Sequence, residues 1–163
     1  MRLTLHTDYA LRVLMYAGVN GDRLSTIQEI VEHFDISRGH LMKVVHHLGQ
    51  LGYLETIRGK RGGISLARKP AQINVGAVVR DMEQELGILG CLQGNKGYCC
   101  IEECCVLRSA LRDATRAFLA TLDGYTLADL IKPRQTLARL LAVNGALPTP
   151  RSKGRAGRRV ALS

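Results

Sequence analysis

Apolar residues in the first fifty positions recur at intervals of three and four, the helical period. Between Thr7 and Gly18 they are Ala10, Leu11, Val13, Leu14, Met15 and Ala17, which predicts a helix with Thr7 as N-cap and a stop in Gly18 to Gly21. Ser25-Thr-Ile-Gln28 has the form of a capping box and opens a second helix, whose inner face is Ile27, Ile30, Val31 and Phe34. Asp35-Ile36 breaks the pattern. Ser37 then caps a third helix, with Ile36 and Leu41 placed for a hydrophobic staple and Leu41, Val44, Val45, Leu48 and Leu51 as its buried stripe. Gly52 suits the residue just past the helix end. The period then changes: Tyr53–Ile57 and Ile64–Leu66 read as strands joined by Arg58-Gly-Lys-Arg-Gly-Gly63. Two short helices, a tight turn and a Gly-rich hairpin make a winged helix-turn-helix.

Pro70 ends the hairpin, and Asn74 caps a short helix through Val75, Val78, Val79 and Met82. From Val106 the positions Leu107, Leu111, Ala114, Phe118 and Leu122 predict one helix of about 17 to 20 residues. Val106, Ala110 and Ala117 widen its apolar stripe. No other long element remains to cover that stripe, so it predicts dimerisation. Asp123-Gly124 stops the helix, Thr126 to Asp129 starts a short turn before Pro133, and Thr136 to Val143 can form a last helix. The expected fold class is mainly α with a small β-hairpin wing. The expected organisation is a DNA-binding winged helix over 1–70, a linking helix and cysteine loop over 71–105, a dimerisation helix and short C-terminal helices over 106–145, and a disordered basic tail over 146–163.

The charge pattern sharpens the function. The 163-residue chain carries a net charge of +9, with ten Lys/Arg against six Asp/Glu in residues 1–70 and five cations without an acid in 151–163. A basic front half suits a polyanionic partner. Arg38, His40 and Lys43 lie opposite the buried stripe of the third helix, beside its cap Ser37. Such a face is either simply solvated or, after a helix-turn-helix, placed to touch base edges. Arg58, Lys60 and Arg61 would neutralise phosphates from the wing. No apolar run reaches the roughly 18 to 20 residues that cross a bilayer, and the polar N-terminus lacks a signal-peptide core. A cytoplasmic protein is expected.

All five cysteines, Cys91, Cys99, Cys100, Cys104 and Cys105, fall within fifteen residues. A disulfide framework would spread them to staple distant loops. Clustered thiols in a cytoplasmic chain indicate a metal or iron–sulfur loop instead. A structural zinc site is the first rival, although paired Cys-x2-4-Cys spacing is incomplete and Cys91 stands alone. A thiol enzyme is a weak second, since there is no Cys-x-x-Cys motif, no neighbouring histidine and no phosphate loop. A disulfide-forming thiol switch is the third. Asp8, in the first turn of the first helix, is explained by the helix dipole and an i,i+4 pair with Arg12.

Several separate stretches resemble the winged-helix iron–sulfur regulators. They are Met1-Arg-Leu-Thr-Leu-His-Thr-Asp8-Tyr-Ala-Leu-Arg12, Lys43-Val-Val, the wing Arg58 to Gly63, and Thr126-Leu-Ala-Asp-Leu130, together spanning about residues 1–131. The N-terminal stretch and Leu122-Asp-x-x-Thr-Leu-Ala-Asp-Leu130 are most similar to the nitric-oxide-sensitive repressors of that family. The resemblance implies a non-enzymatic homodimer that binds an inverted-repeat operator and holds an iron–sulfur cluster, 4Fe-4S by analogy, with 2Fe-2S open. It implies three cysteine ligands, the last two separated by five residues, which selects Cys99 and Cys105 with Cys91 as the first. Asp8 of the partner subunit would be the fourth ligand, and nitric oxide the effector. A sister branch uses a histidine after the third cysteine, and none follows Cys105 here. Cys100 and Cys104 are then spare ligands, oxidation sites or, preferably, small buried side chains.

Overall fold

The computed structural model describes residues 2–59, 61–83, 100–101 and 104–141. Its central element is α1 (Leu5–Asn20), which packs against α3 (Arg38–Gln50), β2 (Gly63–Leu66), α4 (Val75–Met82), α6 (Leu127–Leu130) and α7 (Arg134–Leu140). Ala10, Val13, Leu14, Tyr16 and Ala17 are all buried, as a helix surrounded by partners requires. Complete burial of an aliphatic side chain such as Leu14 is worth about 1.5–3 kcal/mol. The helix starts one turn earlier than its sequence suggests. Thr4, not Thr7, is the N-cap, and its hydroxyl accepts the Thr7 N–H at 3.3 Å. The cause is remote: the Glu83 carboxylate accepts the Thr4 N–H at 2.7 Å and the Thr4 hydroxyl at 3.1 Å.

The capping box of α2 (Ile27–Phe34) is formed by Thr26 and Glu29, one residue later than the Ser25-based expectation. Ser25 is engaged elsewhere. It exchanges backbone hydrogen bonds of 2.9 and 2.8 Å with Ile64 on β2 and is fully buried. In α3 the expected cap is present, with Ser37 accepting the His40 N–H. Of the expected stripe Leu41, Val44, Val45 and Leu48 are buried, while Leu51 caps the helix end and is half-buried. Gly52 follows at φ +69°, a conformation that favours glycine. β1 (Leu54–Ile57) pairs antiparallel with β2, from Leu54 opposite Leu66 to Ile57 opposite Gly63. Helices two and three with this hairpin complete the winged helix.

A 3₁₀ turn, Pro70–Gln72, leads to α4, whose cap is Asn74. Val75, Val78, Val79 and Met82 face the core. Asn74 also donates to the Asp123 carbonyl at 2.7 Å, and Arg80 grips the Asp123 carboxylate. Both contacts hold the end of α5 (Val106–Asp123). Gly76 lies where an added Cβ would run into Asp123, so the two helices meet only because a side chain is missing. α5 has 18 residues and buries none of them. Val106 is 81% exposed and Leu107 59%, while Leu111, Phe118 and Leu122 are half-buried. The last helix, α7, begins at Arg134, with Pro133 as N-cap, two residues before the expected Thr136.

Candidate metal centre and nucleic-acid interface

α3 presents its polar side outward because its apolar side is spent on α1 and the core. Ser37, Arg38, His40 and Lys43 are all exposed. Met42 lies among them, 52% exposed, and was not singled out by the sequence reading. Four-residue spacing from Arg38 was the signal that places it on the outer face. In the wing, Arg58 and Arg61 are exposed on either side of the turn, and Gly59 adopts φ +115°. The Gly62 N–H closes the turn on the Gly59 carbonyl at 2.9 Å. Lys60 lies outside the described residues.

On α1, Asp8 forms its expected pair with Arg12, at 2.9 Å between Arg12 Nη2 and Asp8 Oδ2. Both side chains are about two-fifths exposed, and the Arg12 guanidinium also sits 5.6 Å from the Phe34 ring centre. An exposed i,i+4 pair of this kind is worth only about 0.3–0.5 kcal/mol, so it restrains the Asp8 carboxylate weakly. Cys105 is the N-cap of α5, half-buried, with its sulfur accepting the Arg108 N–H at 3.4 Å. Cys100 and Cys104 are exposed, so their reading as small buried side chains is corrected. Cys91 and Cys99 lie outside the described residues, as does the tail from 142 onward. Among the described residues of one subunit, no three His, Cys, Asp or Glu side chains converge as metal ligands.

The donor chemistry nevertheless fits an iron–sulfur group. A free thiol stands at the positive end of a long helix, where an anionic thiolate-ligated cluster is favoured. A weakly held carboxylate is available on α1. A further network joins the same helix turn to α3. His6 Nε2 lies 3.1 Å from His47 Nδ1, with the rings stacked at 5.4 Å between centres. Burial, reinforced by His47, lowers the His6 pKa, against a smaller upward pull from Glu83. His6 is therefore held in its neutral form at neutral pH. Sequence patterns gave no sign of it, because its partners are 41 residues apart.

A helix-turn-helix with an outward polar recognition helix and a basic wing defines a winged-helix DNA-binding protein. The comparisons agree. Residues 3–133 match the Rrf2 family, described as iron-dependent transcriptional regulators. The HTH-type transcriptional regulator NsrR of Bacillus subtilis strain 168 is 49% identical over 142 residues, covering 86% of this chain and 97% of that protein. Among solved structures, CymR, the global cysteine regulator of B. subtilis, superposes with a TM-score of 0.65 at 21% identity, covering 81% of this chain and 97% of that one. IscR of T. potens gives 0.63 at 24% identity, covering 84% and 90%. The chain belongs to the Rrf2 family of transcriptional regulators and, within it, groups with NsrR. It is a DNA-binding regulator and not an enzyme.

Proposed function

We propose that the protein is an iron–sulfur-dependent, cytoplasmic transcriptional repressor that senses nitric oxide and acts as a homodimer on an inverted-repeat operator. The observation that carries this reading is the position of Asp8: a half-exposed, weakly paired carboxylate on the first turn of the helix that packs directly on α3. Cys91, Cys99 and Cys105 of one subunit and the partner subunit's Asp8 would hold the cluster, 4Fe-4S or 2Fe-2S. When bound, the cluster supplies iron reactive toward nitric oxide, with an oxygen ligand that yields more readily than a thiolate.

The rest is done by the chain's own residues. The exposed stripe of α5, with Val106 and Leu107 at its start, is covered by the same stripe of a second copy. Asp8, tied across that dimer, fixes α1 and hence the winged helix packed on it. Arg38 and His40 then reach base edges, Met42 can meet a thymine methyl, and Ser37, Lys43, Arg58, Lys60 and Arg61 contact phosphates. Losing the tie to Asp8 frees α1, so the two α3 helices lose their fixed spacing. A difference of about 3 kcal/mol between the tied and free states weakens operator binding more than a hundredfold.

Anaerobic purification with iron and sulfide counts and an absorption spectrum tests the proposal. A coloured protein with about four irons, or two, and matching sulfide per subunit is expected. A colourless protein with one zinc would replace it by a structural metal site.

A further inference from the structure

The first turn of α1 is gripped from two sides within three residues. Glu83, at the end of α4, accepts both the N–H and the hydroxyl of the cap residue Thr4, at 2.7 and 3.1 Å. His6, half a turn on, bonds His47 in the last turn of α3, at 3.1 Å. Glu83 is buried, and it stands eight residues before Cys91 in the sequence. Asp8 lies on the same turn as His6 but makes neither contact; it faces Arg12. The chain leading to the cysteines and the recognition helix are therefore each joined to the N-terminal turn of α1 by side-chain hydrogen bonds, within a single subunit.

Hydrogen bonds to a buried carboxylate are directional and costly to leave half-made. A shift of Glu83 thus carries the Thr4 cap with it. His6 shares that turn, so the shift reaches His47 without passing through the hydrophobic core. A second tie between α4 and the winged helix follows a different route: the Tyr53 hydroxyl donates to Asp81 at 2.6 Å and leaves α1 untouched.

We propose that Glu83 and the His6–His47 pair are positioning residues that transmit the state of the cysteine loop to α3 inside each subunit, alongside the intersubunit tie through Asp8. This rests on the proposed cluster-dependent repression. Glu83→Ala and His47→Ala cut the route at its two ends, Glu83→Gln keeps an acceptor for the Thr4 N–H, and Tyr53→Phe serves as the control for general loosening.

Two measurements decide it. In cluster-free protein, hydrogen exchange of the α3 amides near His47 should quicken about tenfold in Glu83→Ala and return towards native in Glu83→Gln. In anaerobic titrations, the ratio of operator affinities of cluster-loaded and cluster-free protein should fall about tenfold in Glu83→Ala and His47→Ala. It should hold in Tyr53→Phe, which weakens both states alike. An unchanged exchange rate in Glu83→Ala, or an unchanged ratio in both alanine variants, overturns the role, as does an equal fall in the Tyr53→Phe control. A ratio of one in the native protein removes the repression reading itself and this role with it, and is recognised because it fails before any substitution.

Discussion

Replacing Asp8 by alanine separates a cluster ligand from a helix-start residue, because the two roles differ in magnitude. In the structure the Asp8 carboxylate pairs with Arg12, and both side chains are about two-fifths exposed. Its pair contributes about 0.3–0.5 kcal/mol and its place in the first turn about 0.3–1 kcal/mol more. The fold should therefore lose about 1 kcal/mol, a fall of roughly 2–5 °C in Tm for a domain of this size. That should leave the protein folded. Its function should change far more: three thiolates remain, the cluster stays coloured with an altered spectrum, and its operator affinity drops towards that of cluster-free protein. Asp8→Cys should restore four protein ligands and slow the reaction with nitric oxide. The assays are thermal denaturation, anaerobic absorption, stopped-flow mixing with nitric oxide and operator titration on the same preparations. If both variants match the native protein in spectrum, nitric oxide rate and operator affinity, Asp8 is a dipole partner of Arg12 and nothing more.

Serine at Cys91, Cys99 or Cys105 should abolish the cluster, while serine at the exposed Cys100 or Cys104 should leave most of it; bleaching by Cys100→Ser with colour retained in Cys99→Ser would reverse the ligand choice. Arg61→Ala should weaken specific and random DNA about equally and reduce the salt slope by about one ion, as read from titrations at several salt concentrations. Burial, then the hydrogen bond to Asp81, pushes the Tyr53 phenol up to about 12. Because the folded value exceeds the unfolded one near 10, this stabilisation is complete below about pH 10 and is lost as pH rises from there through 12. Tyr53→Phe should remove that alkaline slope in pH-dependent denaturation. Truncation after Pro150 should leave dimerisation, cluster content and operator choice intact while lowering non-specific DNA affinity at low salt; a truncated protein that is monomeric would overturn this.

The elements most legible in the sequence are those set by local chemistry. Ser37 as cap, Ile36 and Leu41 buried on either side of it, Gly52 past the end of α3 and the short turn that starts at Thr126 all follow from neighbours a few residues apart. Misreadings occur where a distant partner decides. Thr4 and Thr7 are equivalent candidates until Glu83, 79 residues away, selects Thr4. Ser25 has the composition of a cap, but its backbone is taken by Ile64. The last helix, expected from Thr136, instead starts at Arg134 directly after Pro133. Within the candidate site, the Asp8–Arg12 pair was legible from spacing alone. Asp8 and the cysteines as a ligand set came from resemblance, since no local rule joins a carboxylate at position 8 to thiols near position 100. The His6–His47 contact required the packing of α1 on α3 and had no signature in either helix alone.

The most direct measurement is operator binding by one anaerobic preparation before and after stoichiometric nitric oxide, with cluster-free protein alongside. The cluster-loaded dimer should bind an inverted-repeat operator at least a hundredfold more tightly than either the nitric-oxide-treated or the cluster-free form, with all three similar on random DNA. Equal operator affinity in the three forms would contradict control of DNA binding by the cluster.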